Sequence, residues 1–77
     1  VVEWINQPIP GHPGALAHVA YVAGIPVAAI DYCYDDGVPV FAVFLRTNLR
    51  QPACIAYALD DARAFVERAV YAPVARN

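Results

Sequence analysis

The chain contains no serine, no lysine and no methionine. It therefore has neither a serine nucleophile nor a Schiff-base amine, which removes two large classes of covalent catalysis. Its five cations are all arginines, set against seven acids for a net charge of −2. Nucleic-acid binders concentrate Lys and Arg to neutralise phosphates, so nucleic acid is not the favoured partner here. The missing lysine fits a coding bias toward Ala, Arg, Val, Pro and Gly and is not read as an adaptation. No apolar run is long enough to span a bilayer as a helix. Ala15 to Ile30 is the longest uncharged run of apolar character, but it contains His18, Gly24 and Pro26 and falls short of the ~20 residues required. No membrane association is expected. The opening Val1-Val2-Glu3-Trp4 lacks the basic region of a signal peptide, so a cytoplasmic protein is expected. A phosphate-cradling glycine loop is missing too, because His12-Pro13 separates Gly11 from Gly14.

What is present is apolar surface. Hydrophobic residues make up 60% of the 77 positions, above the ~45–50% usual for soluble domains, and fifteen alanines account for only part of the excess. One domain of this length buries only about 60–65% of its unfolded surface, so a single core gives thin stability. Apolar surface beyond what such a core can use points to association.

The expected order is a strand, a loop, a three-strand meander, a polar loop, one further short strand and a helix. Val1 to Ile5 is β-prone. Asn6 to Gly14 reads as an irregular loop, since three prolines and two glycines disfavour regular pairing. Ala15 to Ala23 resumes apolar character and ends at Gly24-Ile25-Pro26, which suits a tight reversal. Val27 to Tyr34 and Val38 to Arg46 form a hairpin about Asp35-Asp36-Gly37, Asp-Gly being among the strongest short hairpin signals. Arg46 to Pro52 is a polar loop, and Ala53 to Tyr57 suits a short edge strand. Leu59 to Tyr71 is a helix: Leu59, Ala62, Phe65, Val66, Ala69 and Val70 fall on one stripe, Asp60 and Asp61 favour its first turn, and Pro73 stops it. The expected fold is α+β, a small antiparallel meander of about four strands with one C-terminal helix packed on one face.

Both alternate residue sets of the central hairpin are largely apolar, whereas a sheet wetted on one side alternates apolar with polar. The sheet needs cover on both faces, and the chain supplies one helix. A second copy or another protein must supply the rest, so a homodimer or a tight heterocomplex is expected.

The inventory for chemistry is small. His12, His18, Cys33 and Cys54 could be assembled into a two-His, two-Cys metal site, but their spacing matches no zinc module and no metal is expected. Cys33 lies between Tyr32 and Tyr34 in an apolar strand, the opposite of the setting that activates a thiol. The two cysteines read as small buried hydrophobes or as one bridge, since the Cys54 segment could pair alongside Cys33. Asp35-Asp36 and Asp60-Asp61 read as turn and helix-start residues. No cofactor and no enzymatic activity are expected.

The run Tyr57-Ala58-Leu59-Asp60-Asp61-Ala62-Arg63-Ala64-Phe65-Val66-Glu67 resembles the ending of small phage- and plasmid-encoded proteins, anti-CRISPR and other anti-defence proteins among them, in which a helix closes a meander sheet. Pro52-Ala53-Cys54 followed by Leu59-Asp60-Asp61-Ala62 is similar to HicB-type antitoxin modules. Both resemblances imply a small protein that acts by occupying another macromolecule, as an inhibitor or regulator of a host protein. An antitoxin-like regulator that touches nucleic acid is one alternative, and a small enzyme dependent on Cys33 or Cys54 is the other, less favoured one.

The residues expected at the contact surface are Arg46, Asn48, Arg50 and Gln51 of the polar loop, with Tyr32, Tyr34 and Phe44 of the hairpin and the His12 loop beside them. Each is polar or aromatic, and arginine anchors interfaces because its planar fork pairs with carboxylates. The same loop also reads as a plain solvated connection.

Overall fold

A computed structural model describes residues 1–9 and 12–71. Five antiparallel strands lie in sequence order, β1 (Glu3–Ile9), β2 (His12–Val22), β3 (Ile25–Asp35), β4 (Val38–Leu45) and β5 (Cys54–Ala56), followed by the helix α1 (Leu59–Tyr71). The fold is the expected α+β meander with a C-terminal helix, with five strands rather than about four. Pro73 lies outside the described residues.

The two central reversals are built alike. Asp36 (φ 54°) and Gly37 (φ 79°) turn β3 into β4, and Ala23 (φ 53°) and Gly24 (φ 79°) turn β2 into β3. Two consecutive residues at positive φ make the two-residue turn whose twist matches that of the strands it joins.

The segment read as an irregular loop, Asn6 to Gly14, is largely strand. β1 continues through Asn6-Gln7-Pro8 to Ile9, and β2 begins at His12. Two features admit the prolines. β1 is an edge strand, where the missing N–H of Pro8 can point away from the ladder. The register then jumps from Pro8↔Leu16 to Ile9↔His12, which leaves Pro13 and Gly14 in an irregularity without ladder partners.

Register assigns the faces. Ala20, Ala28 and Leu45 stand in one row across β2–β4, and His18, Ile30, Val43 and Cys54 in the next across β2–β5. The helix packs on this side, against β4 and β5 and to a lesser extent β3. Ile30, Val43 and Val66 are fully inaccessible at the contact, and Ala20, Ala28, Ala56 and Ala62 let the helix approach closely. The expected helical stripe is the one used, except that Ala69 is exposed.

Candidate functional site

On the other side of the sheet the rows are Ile5–Val19–Ala29–Phe44 and Gln7–Ala17–Asp31–Ala42–Ile55, with Cys33 opposite Val40 beyond them. No helix lies on this side among the described residues. Ala17, Val40 and Ala42 are nonetheless buried, and none of them belongs to the core cluster beneath the helix. Larger side chains at the margin of this face stay open: Ile5 is 45% exposed and Ile55 41%.

At one end of this face lies an apolar groove of about 400 Å³, lined by Val19, Ile25, Val27, Ala29, Arg46 and Leu49 among others. The loop after β4 forms its rim. Arg46 donates its backbone N–H to the Val27 carbonyl at 2.9 Å, which fastens the start of the loop to β3. The Asn48 N–H reaches the Leu45 carbonyl at 3.0 Å, and the Asn48 side-chain Oδ1 accepts the Arg50 N–H at 3.0 Å. That last bond is the local asparagine turn that holds a loop without a ladder. The Ala53 N–H to the Val43 carbonyl, 2.7 Å, closes the loop. Arg46, Asn48, Leu49, Arg50 and Gln51 are all exposed on this fastened frame.

The expected contact residues divide between two places. Phe44 is half-buried beside Ala29 on the helix-free face, and Arg46 borders the groove against the same residue. Tyr32 and Tyr34 are elsewhere. Tyr32 pairs with Phe41, so both tyrosines point to the helix side, beyond the start of α1, and they are 52% and 67% exposed. Their rings stack edge-on at 5.8 Å, and Tyr32 lies 5.1 Å from Phe41. Along a hairpin rising ~3.3 Å per residue, Tyr32 is roughly 17 Å and Tyr34 roughly 23 Å from Arg46. The backbone of His12 begins β2, and its side chain lies outside the described residues.

Both cysteines are free. Cys33 faces the helix-free side opposite Val40, while Cys54 stands in the Val43 row on the helix side. The intervening β4 and the opposed directions rule out the bridge that the sequence left open. No group of three or more His, Cys, Asp or Glu that could hold a metal occurs among the described residues.

A polar cluster that the sequence did not single out lies at the flank of the helix. The Arg63 guanidinium sits 5.3 Å over the Trp4 ring, a cation–π contact joining α1 to the edge strand. His18 is next to them, its pKa lowered by burial and then by the Arg63 charge. Trp4 Nε1, His18 Nδ1 and Arg63 Nε are buried without a hydrogen-bond partner. The residue types alone gave no signal, because Trp4 and His18 become neighbours only through the β1–β2 register.

No helix among the described residues is long and apolar enough to cross a membrane. No protein-family model, curated protein or solved structure matches the chain.

Proposed function

We propose that this chain is a non-enzymatic protein-binding module that docks through the helix-free face of its sheet and the Arg46–Gln51 rim, and that a second copy of the chain covers that face. The observation that carries the reading is the apolar row Ile5–Val19–Ala29–Phe44 ending in the groove beside Arg46, on the side the helix does not reach. With strands ~4.8 Å apart and ~3.4 Å per residue, five strands of about eight residues give a planar footprint on the order of 600 Å². Corrugation by side chains brings its accessible area near the ~800 Å² per partner of a standard interface. Two such faces packed together make a sandwich with a second core. The resemblances of the Tyr57–Glu67 and Pro52–Ala62 segments to mobile-element inhibitors and antitoxins support a regulatory role for the assembly, the inhibition of a host protein in the cytoplasm.

Sedimentation velocity tests it. The wild-type chain is expected to be dimeric at micromolar concentration, and Phe44→Asp to raise the dissociation constant about tenfold or more with the circular dichroism unchanged. A strict monomer up to 100 µM overturns the second copy as cover. If an apolar dye also fails to bind that monomer, the docking face itself is overturned. Salt-dependent binding to duplex DNA that is lost in Arg46→Ala/Arg50→Ala replaces the reading with a nucleic-acid-contacting regulator.

A further inference from the structure

The far edge of the sheet carries a second surface, on the helix side. β5 pairs with β4 along one edge, and no strand among the described residues pairs along its other edge. Beside that open edge runs α1, and between them lies a channel of about 320 Å³. Cys54, Ile55 and Ala56 of β5 and Tyr57 just after it line one side, and Asp61, Ala64, Phe65 and Arg68 of the helix the other. The four helix positions follow the three- and four-residue spacing of a single helical stripe, so they form one wall. Ala56, Ala64 and Phe65 make its middle apolar. The only ionisable groups of α1 on it are of opposite sign and stand at opposite ends, Asp61 near Tyr57 and Arg68 toward Cys54. Seven residues of helix separate them by about 10 Å.

An open strand edge beside a helix offers an extended peptide two things at once, backbone hydrogen-bond partners and a pocket for alternate side chains. The channel is short, which fixes the length of the occupant. The three residues of β5 and Tyr57 after them span about 13 Å, the reach of a five-residue extended segment. Side chains of a paired strand that point to one face recur every second residue. Three of them enter the channel: one at Asp61, one over Ala56, Ala64 and Phe65, and one at Arg68.

We propose that this channel binds an extended segment of another protein, added antiparallel to β5, with a basic, an apolar and an acidic residue at alternate positions. The order follows from direction. β5 runs toward Tyr57 and the Asp61 end, so an antiparallel segment enters at Asp61 and leaves at Arg68. Its basic residue therefore precedes its acidic one. Antiparallel pairing is the commoner arrangement by two- to threefold. The site is distinct from the helix-free face and does not require that face to be covered.

Two peptides test it. One is acetyl-Thr-Lys-Thr-Leu-Thr-Glu-Thr-amide, and the other has Lys and Glu exchanged; amidation removes the terminal carboxylate as a rival anion. Titrations followed by amide NMR use the wild-type chain and, separately, the Phe44→Asp chain, so that failure at the other face cannot be mistaken for failure here. The first peptide is expected to shift the amides of Cys54 to Tyr57 and of residues 61–68, and to bind about fivefold more tightly than the second, the scale of two rim charge pairs. Asp61→Lys/Arg68→Glu should invert the preference, and the milder Asp61→Asn/Arg68→Gln should abolish it. Failure of both peptides to bind, equal affinities for wild type, or shifts confined to the helix-free face would each overturn the site. Preference for the exchanged peptide overturns the antiparallel order. Concentration-dependent shifts at Cys54 to Tyr57 without peptide assign the edge to a second copy instead.

Discussion

At the scale of single residues, the sheet–helix contact depends on a few side chains with no solvent access. Ile30 and Val43 face each other across β3 and β4 beneath Val66. Truncating Ile30 to Ala removes buried methyl and methylene groups and leaves a cavity, so urea denaturation should show a loss of about 2–4 kcal/mol. Tyr34→Ala, on an open surface, should stay within about 0.5 kcal/mol. The small residues carry the opposite prediction. Ala62 has 0% exposure at the contact, so Ala62→Leu overpacks it and should cost about 1–3 kcal/mol. His18 adds a dependence on pH. Burial first, and Arg63 second, lower its pKa below the ordinary 6.5, so the unfolded chain takes up the proton more readily than the folded one. Its neutral form carries no penalty above pH 6.5. Stability should fall as the pH drops below that value and level off once the pH is under the folded pKa. Thermal denaturation of His18→Gln across pH 5–8 should lack that part of the slope. If His18→Gln keeps the full slope, the proton belongs to another group.

At the scale of elements, what the sequence disclosed depended on how local the cause was. The β3–β4 hairpin and α1 were legible because Asp36-Gly37 and the spacing of Leu59, Ala62, Phe65 and Val66 act within a few residues. The continuation of β1 from Asn6 to Ile9 was not, because whether Pro8 breaks a strand depends on which side of that strand has a neighbour, and this is a property of the sheet. The β2–β3 turn was legible as a reversal, yet its strained member was not, since Ala23 shows positive φ only once Gly24 beside it is seen to share the turn. A non-glycine, non-asparagine residue in that region costs roughly 1 kcal/mol. Asn tolerates the left-handed conformation and is preferred at the first position of this turn type. Ala23→Asn should therefore raise stability by about 0.5–1 kcal/mol in urea, and Gly37→Ala should lower it by about 1 kcal/mol. Equal midpoints for Ala23→Asn and wild type would show that the strain is relieved elsewhere. The parity of the two strands also decided the candidate site. Tyr32 and Phe44 look alike in sequence, but Tyr32 pairs with Phe41 and Phe44 with Ala29, which places them on opposite faces.

At the scale of the molecule, the proposed cover of the apolar row by a second copy divides the stability between folding and association. In a coupled dimer the unfolding midpoint rises with concentration, because dissociation accompanies unfolding. Taking ~0.7 kcal/mol of enthalpy per residue, a dimer of this 77-residue chain unfolds with roughly 110 kcal/mol. A tenfold rise in concentration should then raise the midpoint by about 4–5 °C, read by calorimetry between 5 and 500 µM. Phe44→Asp should flatten that dependence while leaving a cooperative transition, since the contact of Ile30 and Val43 with Val66 of the helix lies on the other face and is untouched. Tyr34→Asp, on the helix side, should keep the full dependence. A flat midpoint for the wild type would mean that the helix-covered core alone sets the stability, and that the row from Ile5 to Phe44 meets water in the folded chain.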